Sequence, residues 1–215
     1  MLGHWFIISR IVLVFEDRDS YRFKLENLRR EEFVIIVNPI EFHIRNLTYS
    51  LRSAKQEDAK KLSEVRFQID GETENMDREQ GEAYIDEVGF KQLIKEDTKK
   101  SHNLFLVCEV SGSIVGFSRC EGNELKRMAH KVEFGVCVLK DFWGYSIGTN
   151  LLKESIKWAD ANDIRKMTLN VLETNEKAIM LYKKLGFEQE GVLKNDRLLS
   201  DGNYYNTVVM GRFNE

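Results

Sequence analysis

From residue 47 onward, apolar positions follow two periods, one typical of strands and one typical of helices. Segments such as NLFLVCEV and HKVEFGVCVLK are rich in β-branched and aromatic residues, which predicts strands. The segment IGTNLLKESIKWADAN repeats its apolar residues every three to four positions, which predicts an amphipathic helix. The predicted order of elements is βααβββαβαββ. The helices cover 55–69, 83–100, 147–162 and 175–187, and the strands cover 48–54, 103–110, 113–122, 130–140, 166–173 and two segments flanking the turn SDGN.

Residues 1–45 carry a different pattern and form a predicted β-rich N-terminal extension, which precedes one domain over 46–215. Three apolar runs, IVLVF, YRFKL and FVIIV, are separated by charged clusters, which favours a three-stranded meander. A helix over 19–31 is the alternative, because Tyr21, Leu25 and Leu28 also fit a helical stripe. Pro39 marks a linker. Three short strands are marginal alone, so we expect them to pack on the main domain or on a partner subunit, as in a homodimer.

The composition indicates a soluble globular protein without a nucleic-acid partner. The chain has 215 residues, of which 42% are hydrophobic and 31% charged, with a net charge of −3 and a pI of about 5.9. The apolar run WFIISRIVLVF spans 11 residues, whereas a membrane-spanning helix needs roughly 20. It also lacks a basic leader, so neither a membrane span nor a signal peptide is expected. Three single cysteines, none in a CxxC pair, favour reduced thiols and a cytoplasmic location.

The stretch DFWGYSIGTNLL, residues 141–152, places glycines between a predicted strand and a predicted helix. The first N–H groups of a helix have no intrahelical partner, and the helix dipole adds positive charge at the same end. Glycines let a ligand approach the backbone closely, so the turn is suited to a pyrophosphate. Its spacing matches neither G-x-x-x-x-G-K-[ST] nor G-x-G-x-x-G. A tight structural turn remains the alternative on this pattern alone.

Two motifs resemble those of the GCN5-related N-acetyltransferase (GNAT) family. The family signature Q/R-x-x-G-x-G/A aligns with WGYSIG, residues 143–148, and the form N-x-x-A-x-x-x-Y-x-x-x-G-F aligns with NEKAIMLYKKLGF, residues 175–187. The family opening is similar to SLRSAKQEDA, and the whole resemblance covers residues 47–213. It implies the GNAT fold, of the α/β (α+β) class, with a central, mixed, mostly antiparallel twisted sheet flanked by helices.

The resemblance also implies a function. The chain would transfer an acetyl group from acetyl-CoA directly to a primary amine of a small molecule, an amino acid or a peptide N-terminus. A degenerate acyl-CoA-binding module with a regulatory role is the alternative. In the family, the strand before the glycine turn splays from its neighbour, which implies that Val136, Cys137 and Val138 bind the cofactor through their backbone. The other residues implied in cofactor binding are Trp143, Gly144, Tyr145, Ser146, Ile147, Gly148, Thr149 and Asn175.

Two positions depart from the signature, which puts cofactor affinity in question more than cofactor identity. Trp143 replaces glutamine or arginine, and Ser146 replaces the central glycine. If Ser146 requires a positive φ, serine costs on the order of 1 kcal/mol or more. If Ser146 lies in the first helical turn, serine is tolerated and its hydroxyl can bind a phosphate. We favour placement in the first turn.

Two residues are candidates for the chemistry. Tyr182 matches the family's tyrosine that protonates the departing CoA sulfur, although a core tyrosine is the alternative. Glu133 begins the strand before the glycine turn and could take the proton of the amine directly or through water. It could equally orient substrate or face solvent. No histidine or cysteine spacing matches a metal site, and no metal is expected. Cys137 is expected to be inert, and the acidic run 72–82 to be a solvated loop.

Overall fold

The computed structural model describes residues 36–215 and two short strands before them, β1 (Val12–Leu13) and β2 (Val34–Ile35). These strands pair in parallel, with Val12 opposite Val34. The predicted strand YRFKL and the alternative helix over 19–31 lie outside the described residues. The arrangement of the N-terminal extension and its packing therefore stay predictions.

The domain is built on an eight-stranded sheet in which seven strands were predicted from the sequence. Their order across the sheet is β3-β4-β5-β6-β7-β8-β10-β9, and every pair of neighbours is antiparallel except β7 and β8. The expected mixed, mostly antiparallel sheet is confirmed. The strands are β3 (Ile40–Ile44), β4 (Leu47–Ser53), β5 (Leu104–Val110), β6 (Ser113–Gly122), β7 (Lys131–Val138), β8 (Lys166–Leu172), β9 (Glu188–Leu198) and β10 (Tyr204–Phe213).

Four helices cover the two faces of this sheet. They are α1 (Ala59–Glu72), α2 (Glu87–Asp97), α3 (Ile147–Ala161) and α4 (Glu176–Lys184), with 3₁₀ turns at Gln56–Asp58 and Lys140–Phe142. Buried residues of α1 and α2 pack together with Phe105, Val107 and Phe117 on one face. Buried residues of α3, with part-buried residues of α4, pack on the other face against Leu106 and Phe134.

Strand β3 was not predicted, although its sequence IEFHI alternates apolar and polar residues. It pairs with β4 along its whole length, so the sheet extends across residue 45, where the sequence placed the end of the extension. The division of the chain into two units stays a prediction. Helix α2 begins at Glu87 instead of residue 83, because the Asp86 side chain accepts a 2.8 Å hydrogen bond from the N–H of Gly89 and caps the helix there.

The parallel pair β7–β8 is paired over only three residues. Lys131–Glu133 lie opposite Lys166–Thr168, whereas β7 continues to Val138 and β8 to Leu172. On its other side, β7 stays paired with β6 from Val132 to Val138. The two parallel strands therefore separate after Glu133, and the edge of β7 that faces β8 is left without a strand partner.

Candidate active site

The unpaired edge of β7 presents backbone groups of residues 134–138 to the gap between the strands. Side chains alternate across a strand, so Val136 and Val138 contact the α3 face while Cys137 packs with α1 and α2. Gly135 shares the face of Cys137, and a Cβ added to Gly135 would meet no atom within 4 Å. The face of β7 directed at α1 therefore borders open space at Gly135.

The glycine turn, residues 143–149, lies at the end of β7 and leads into α3. Gly144 has a φ of 86°, which only glycine adopts readily. The first bond of the helix runs from the N–H of Asn150 to the carbonyl of Ser146, so the N–H groups of Ile147, Gly148 and Thr149 have no intrahelical partner. A Cβ on Gly148 would meet a single atom, Cγ2 of Val138 at 3.9 Å. The helix start therefore has free donors and room beside them for an anion.

Ser146 adopts the left-handed conformation and the expected placement in the first helical turn is wrong. Its φ of 60° and ψ of 15° make it the N-cap residue of α3. The glycine of the signature suits this conformation, whereas serine costs on the order of 1 kcal/mol. The exposed Ser146 side chain forms no capping hydrogen bond.

Trp143 folds back across the start of the turn. Its indole Nε1–H donates a 2.8 Å hydrogen bond to the carbonyl of Val138, the last residue of β7, while 47% of its surface stays exposed. The indole N–H is the only donor of a tryptophan side chain. Trp143 therefore closes the turn, and its polar atom is engaged by the chain itself.

A buried tyrosine of β4 supports the glycine turn from the face of the sheet that α3 covers. The Tyr49 hydroxyl donates to the carbonyl of Tyr145 at 3.1 Å and accepts from Nδ2 of Asn150 at 2.7 Å. Tyr49 is 1% exposed and stacks on Phe42 with ring centroids 5.4 Å apart. Burial raises the pKa of Tyr49, so the hydroxyl stays protonated. No local pattern indicated this contact, since Tyr49 and Tyr145 are 96 residues apart in the chain.

Tyr182 lies on α4 against the α3 face of the sheet, with its ring 5.8 Å from that of Phe187. Burial raises its pKa to about 12, and the nearby Cys137 thiol adds to the increase. The phenol therefore keeps its proton near neutral pH. Asn175 is the N-cap of the same helix, because its side-chain oxygen accepts from the N–H of Ala178 at 3.4 Å.

Glu133 marks the point at which β7 separates from β8. Its side chain is exposed, and its Oε1 accepts a 3.3 Å hydrogen bond from Nδ2 of Asn170. Four residues separate it from Cys137, or about 13 Å along an extended strand. The carboxylate thus lies at the closed end of the gap.

Cys137 is buried, at 9% exposure, in the cluster that packs with α1 and α2. Burial raises the pKa of its thiol to about 12, so the thiol is protonated at neutral pH. The thiolate is the nucleophilic form of cysteine. A buried, protonated thiol fits the expectation that this cysteine is inert, and the role of its backbone stays a prediction.

A charged cluster lies beside Cys137, formed by Arg66, Asp70, Asp77 and Arg78. Arg78 pairs with Asp70 at 2.8 Å and with Asp77 at 2.9 Å, and Nη1 of Arg66 donates to the carbonyl of Ala83 at 2.8 Å. The Asp70 side chain is 2% exposed, yet its Oδ1 has no partner among the described residues. Burial also lowers the pKa of Arg66. Sequence reasoning missed the cluster, because its members come from a helix and from a segment expected to be solvated.

The acidic segment after α1 is held by the last hairpin of the chain. Nη1 of Arg197 donates to the carbonyl of Asn75 at 3.3 Å, and the N–H of Ser200 donates to the Glu74 carboxylate at 2.9 Å. This part of the segment is a surface loop, as expected, but hydrogen bonds to the hairpin hold it in place. The hairpin β9–β10 and the segment after α1 together border the charged cluster.

The described part of the chain has a further crevice away from this region, no arrangement suited to a metal ion and no helix suited to a membrane span. A crevice of about 370 Å³ lies near Pro39, Arg52 and Asp97 and contains none of the residues above. Within residues 36–215 and the two short strands, no group of three histidine, cysteine or acidic residues is arranged to hold a metal ion. No helix in these same regions has the length and apolar character needed to cross a membrane.

Curated relatives align with about half of the chain. An uncharacterised N-acetyltransferase of Methanocaldococcus jannaschii is 39% identical over 110 residues, which is 49% of this chain and 46% of that protein. The L-amino acid N-acetyltransferase of Escherichia coli is 33% identical over 109 residues, 50% of this chain and 66% of that protein. The chain thus spans between about half and two thirds of the length of these relatives.

Solved structures share the fold over most of the described residues. A GNAT-family acetyltransferase of Streptococcus pneumoniae superposes with a TM-score of 0.75 at 24% identity, covering 77% of this chain and 99% of that one. A putative acetyltransferase of Salmonella typhimurium, solved with its cofactor acetyl-CoA, gives a TM-score of 0.68 at 18% identity, covering 77% and 93%. The model of the acetyltransferase (GNAT) family matches residues 67–187, more than half of the chain. The chain therefore belongs to the GNAT acetyltransferase family.

Proposed function

We propose that this protein is an N-acetyltransferase that moves the acetyl group of acetyl-CoA to a primary amine. The observation that carries the proposal is the separation of β7 from β8 after Glu133, with the glycine turn at the end of β7. Backbone donors for a thioester and for a pyrophosphate thereby lie along one path. The family membership and the acetyl-CoA bound to the Salmonella protein support the same conclusion.

The cofactor is held mainly by the backbone in this proposal. The N–H groups of Ile147, Gly148 and Thr149 bind the pyrophosphate, aided by the dipole of α3. The open space beside Gly148 fits such a ligand. The unpaired edge of β7 at Val136, Cys137 and Val138 pairs with the amide groups of the pantetheine arm, as a strand would.

The residues of the gap supply the chemistry. Free N–H groups of β7 polarise the thioester carbonyl, as in an oxyanion hole. The amine nitrogen attacks the carbonyl carbon, a C–N bond forms and the C–S bond breaks. Tyr182, protonated because of its raised pKa, donates its phenolic proton to the departing sulfur. Glu133 accepts the proton of the amine through water, since its carboxylate is exposed at the closed end of the gap.

The acceptor amine approaches from the α1 side of β7. The open space at Gly135 lies on that face, and the charged cluster lies beside it. The unpartnered Oδ1 of Asp70 is a buried acceptor that an ammonium or amine N–H satisfies. An amino acid or a peptide N-terminus fits this arrangement, and relatives carry the names L-amino acid N-acetyltransferase and N-alpha-acetyltransferase.

The experiment combines binding and turnover. Calorimetry measures the binding of acetyl-CoA, and a thiol reagent measures CoA release with a panel of amino acids, peptides with free N-termini and polyamines. We expect binding and amine-dependent release, with product mass confirming one added acetyl group. Binding with no release across the panel would instead favour an acyl-CoA-binding module without catalysis. No binding at all would overturn the proposal.

A further inference from the structure

The turn between β3 and β4 lies at the same end of the strands as the glycine turn. Val138 at the end of β7 is opposite Gly116, Gly116 is opposite Cys108, and Cys108 is opposite Leu51 of β4. Strand β4 begins four residues earlier, at Leu47, so its first residues extend beyond the level at which β7 ends. The two-residue turn that precedes β4, Arg45 and Asn46, is therefore brought to the region of the glycine turn.

Arg45 reaches the glycine turn directly. Its Nη1 lies 4.0 Å from the position that a Cβ on Gly144 would take. Arg45 is exposed and has a φ of 56°, the left-handed region in which a non-glycine residue is uncommon. Among the residues that the structure describes, none forms a hydrogen bond or an ion pair with its side chain. A guanidinium with unused donors thus stands beside the backbone of Gly144.

The glycine turn has no cation of its own. The sequence WGYSIGT, residues 143–149, contains neither lysine nor arginine. Trp143 occupies the first position of the signature, and its single donor is engaged by the carbonyl of Val138. A pyrophosphate at this turn would meet backbone donors and a helix dipole but no full positive charge from the turn itself.

We propose that Arg45 binds the pyrophosphate of CoA and so extends the cofactor site to the β3–β4 hairpin. The inference rests on the proposed function. A guanidinium presents paired donors that match two phosphate oxygens and stays charged at every relevant pH. Gly144 lies at the start of the turn whose N–H groups face the ligand, so a phosphate seated there is within reach of Arg45.

The contacts of Tyr49 fix the position of the hairpin relative to the turn. Tyr49 is four residues along the chain from Arg45. Its hydroxyl donates to the carbonyl of Tyr145 and accepts from the side chain of Asn150. Tyr49 is buried and cannot swing away without breaking both bonds. The hairpin is thus held against the turn before a ligand binds, which limits the entropy lost when Arg45 engages a phosphate.

Calorimetry with CoA tests the role of Arg45 without any acceptor. Arg45→Gln removes the charge and leaves a shorter polar side chain. We expect CoA affinity to fall roughly 5- to 20-fold. The ratio between wild type and variant should shrink in about 1 M salt, where the screening length is about 3 Å. Arg45→Lys, which keeps the charge but loses the paired donors, should lose less.

A matched variant controls for net charge. Arg127 is exposed in the connection between β6 and β7. This connection lies at the opposite end of β7 from the glycine turn. Arg127→Gln changes the net charge by the same amount and should bind CoA like wild type. If both variants lose the same CoA affinity, the effect comes from the net charge of the protein, and the proposal is overturned. Thermal unfolding of each variant shows whether the hairpin has kept its structure.

CoA offers a second phosphate, on its ribose, and 3′-dephospho-CoA separates the two sources. If Arg45 binds the pyrophosphate, Arg45→Gln weakens CoA and 3′-dephospho-CoA by the same factor. A loss with CoA alone would place Arg45 at the 3′-phosphate and overturn the pyrophosphate assignment. Unchanged affinity for both ligands, in a wild type that binds CoA, refutes the inference alone. A wild type that binds neither ligand refutes the proposed function as well.

Discussion

The glycine turn and the charged cluster lie on opposite sides of β7 and are built in different ways. The turn offers backbone N–H groups, held in place by buried residues such as Tyr49, Ile147 and Asn150. The charged cluster offers side chains, gathered from α1 and from the segment after it. A backbone site tolerates changes of side chain, which explains how Trp143 and Ser146 replace signature residues. A site formed by side chains can change the ligand that it prefers when one of those side chains is substituted.

The largest effect should follow from placing a charge in the glycine turn. Gly148→Asp directs a carboxylate into the space beside the helix start, where it repels the pyrophosphate. We expect CoA affinity measured by calorimetry to fall by about 100-fold or more. Gly191→Asp is the control, because Gly191 on β9 also has open space around its Cβ position. Equal affinity in the two variants would end the backbone interpretation of the turn.

The next effect concerns Tyr182, the proposed proton donor. Tyr182→Phe should lower kcat by about 10²-fold and leave CoA binding unchanged. Because burial raises its pKa to about 12, kcat of the wild type should not fall through deprotonation of Tyr182 until the pH approaches that value. Tyr204→Phe alters an exposed tyrosine of β10 and serves as the control. Full activity of Tyr182→Phe would return this residue to a packing role.

A smaller effect should separate the acceptor side from the cofactor side. Gly135→Val fills the open space on the α1 face of β7. Valine is favoured in strands, so thermal stability should not fall. We expect kcat/KM for the acceptor amine to fall about 10-fold while CoA affinity stays the same. A parallel loss of CoA affinity would show that the two sides are not independent.

The smallest effect should come from the support of the glycine turn. Tyr49→Phe removes a hydroxyl that makes two hydrogen bonds and leaves Asn150 Nδ2 buried with one partner fewer. We expect urea unfolding to show a loss of about 1–2 kcal/mol. CoA affinity should fall a few-fold, because the turn is held less firmly. Unaltered stability would mean that packing on Phe42 alone holds Tyr49 in place.

The sequence predicted the fold well because its information is local. Apolar runs rich in β-branched and aromatic residues predicted seven strands of the main sheet, and the frame NEKAIMLYKKLGF predicted α4. The prediction failed at β3, because Pro39 was interpreted as a linker although Ile40, Phe42 and Ile44 alternate with polar residues. A proline directly before a strand does not prevent that strand from pairing with its neighbour.

The site was predictable to the extent that it is carried by backbone positions. The glycine turn and the unpaired edge of β7 lie where the motifs indicated, and their roles stay predictions. The contacts of Tyr49 and Arg45 join residues far apart in the chain, so no local pattern revealed them. The charged cluster joins α1 to the segment directly after it, which the sequence predicted to be a solvated loop. The conformation of Ser146 was misjudged, because a signature does not state the φ angle that a position adopts.

The indole of Trp143 has a practical consequence for observing this protein. The chain has three tryptophans, and Trp158 is buried in the core at 2% exposure. Trp143 is 47% exposed at the start of the glycine turn, with its N–H bonded to the end of β7. A ligand that settles on the turn changes the polarity and water contact around this indole. The emission of Trp143 is therefore a native fluorescent reporter of occupancy, and Trp143→Phe identifies its share of the signal.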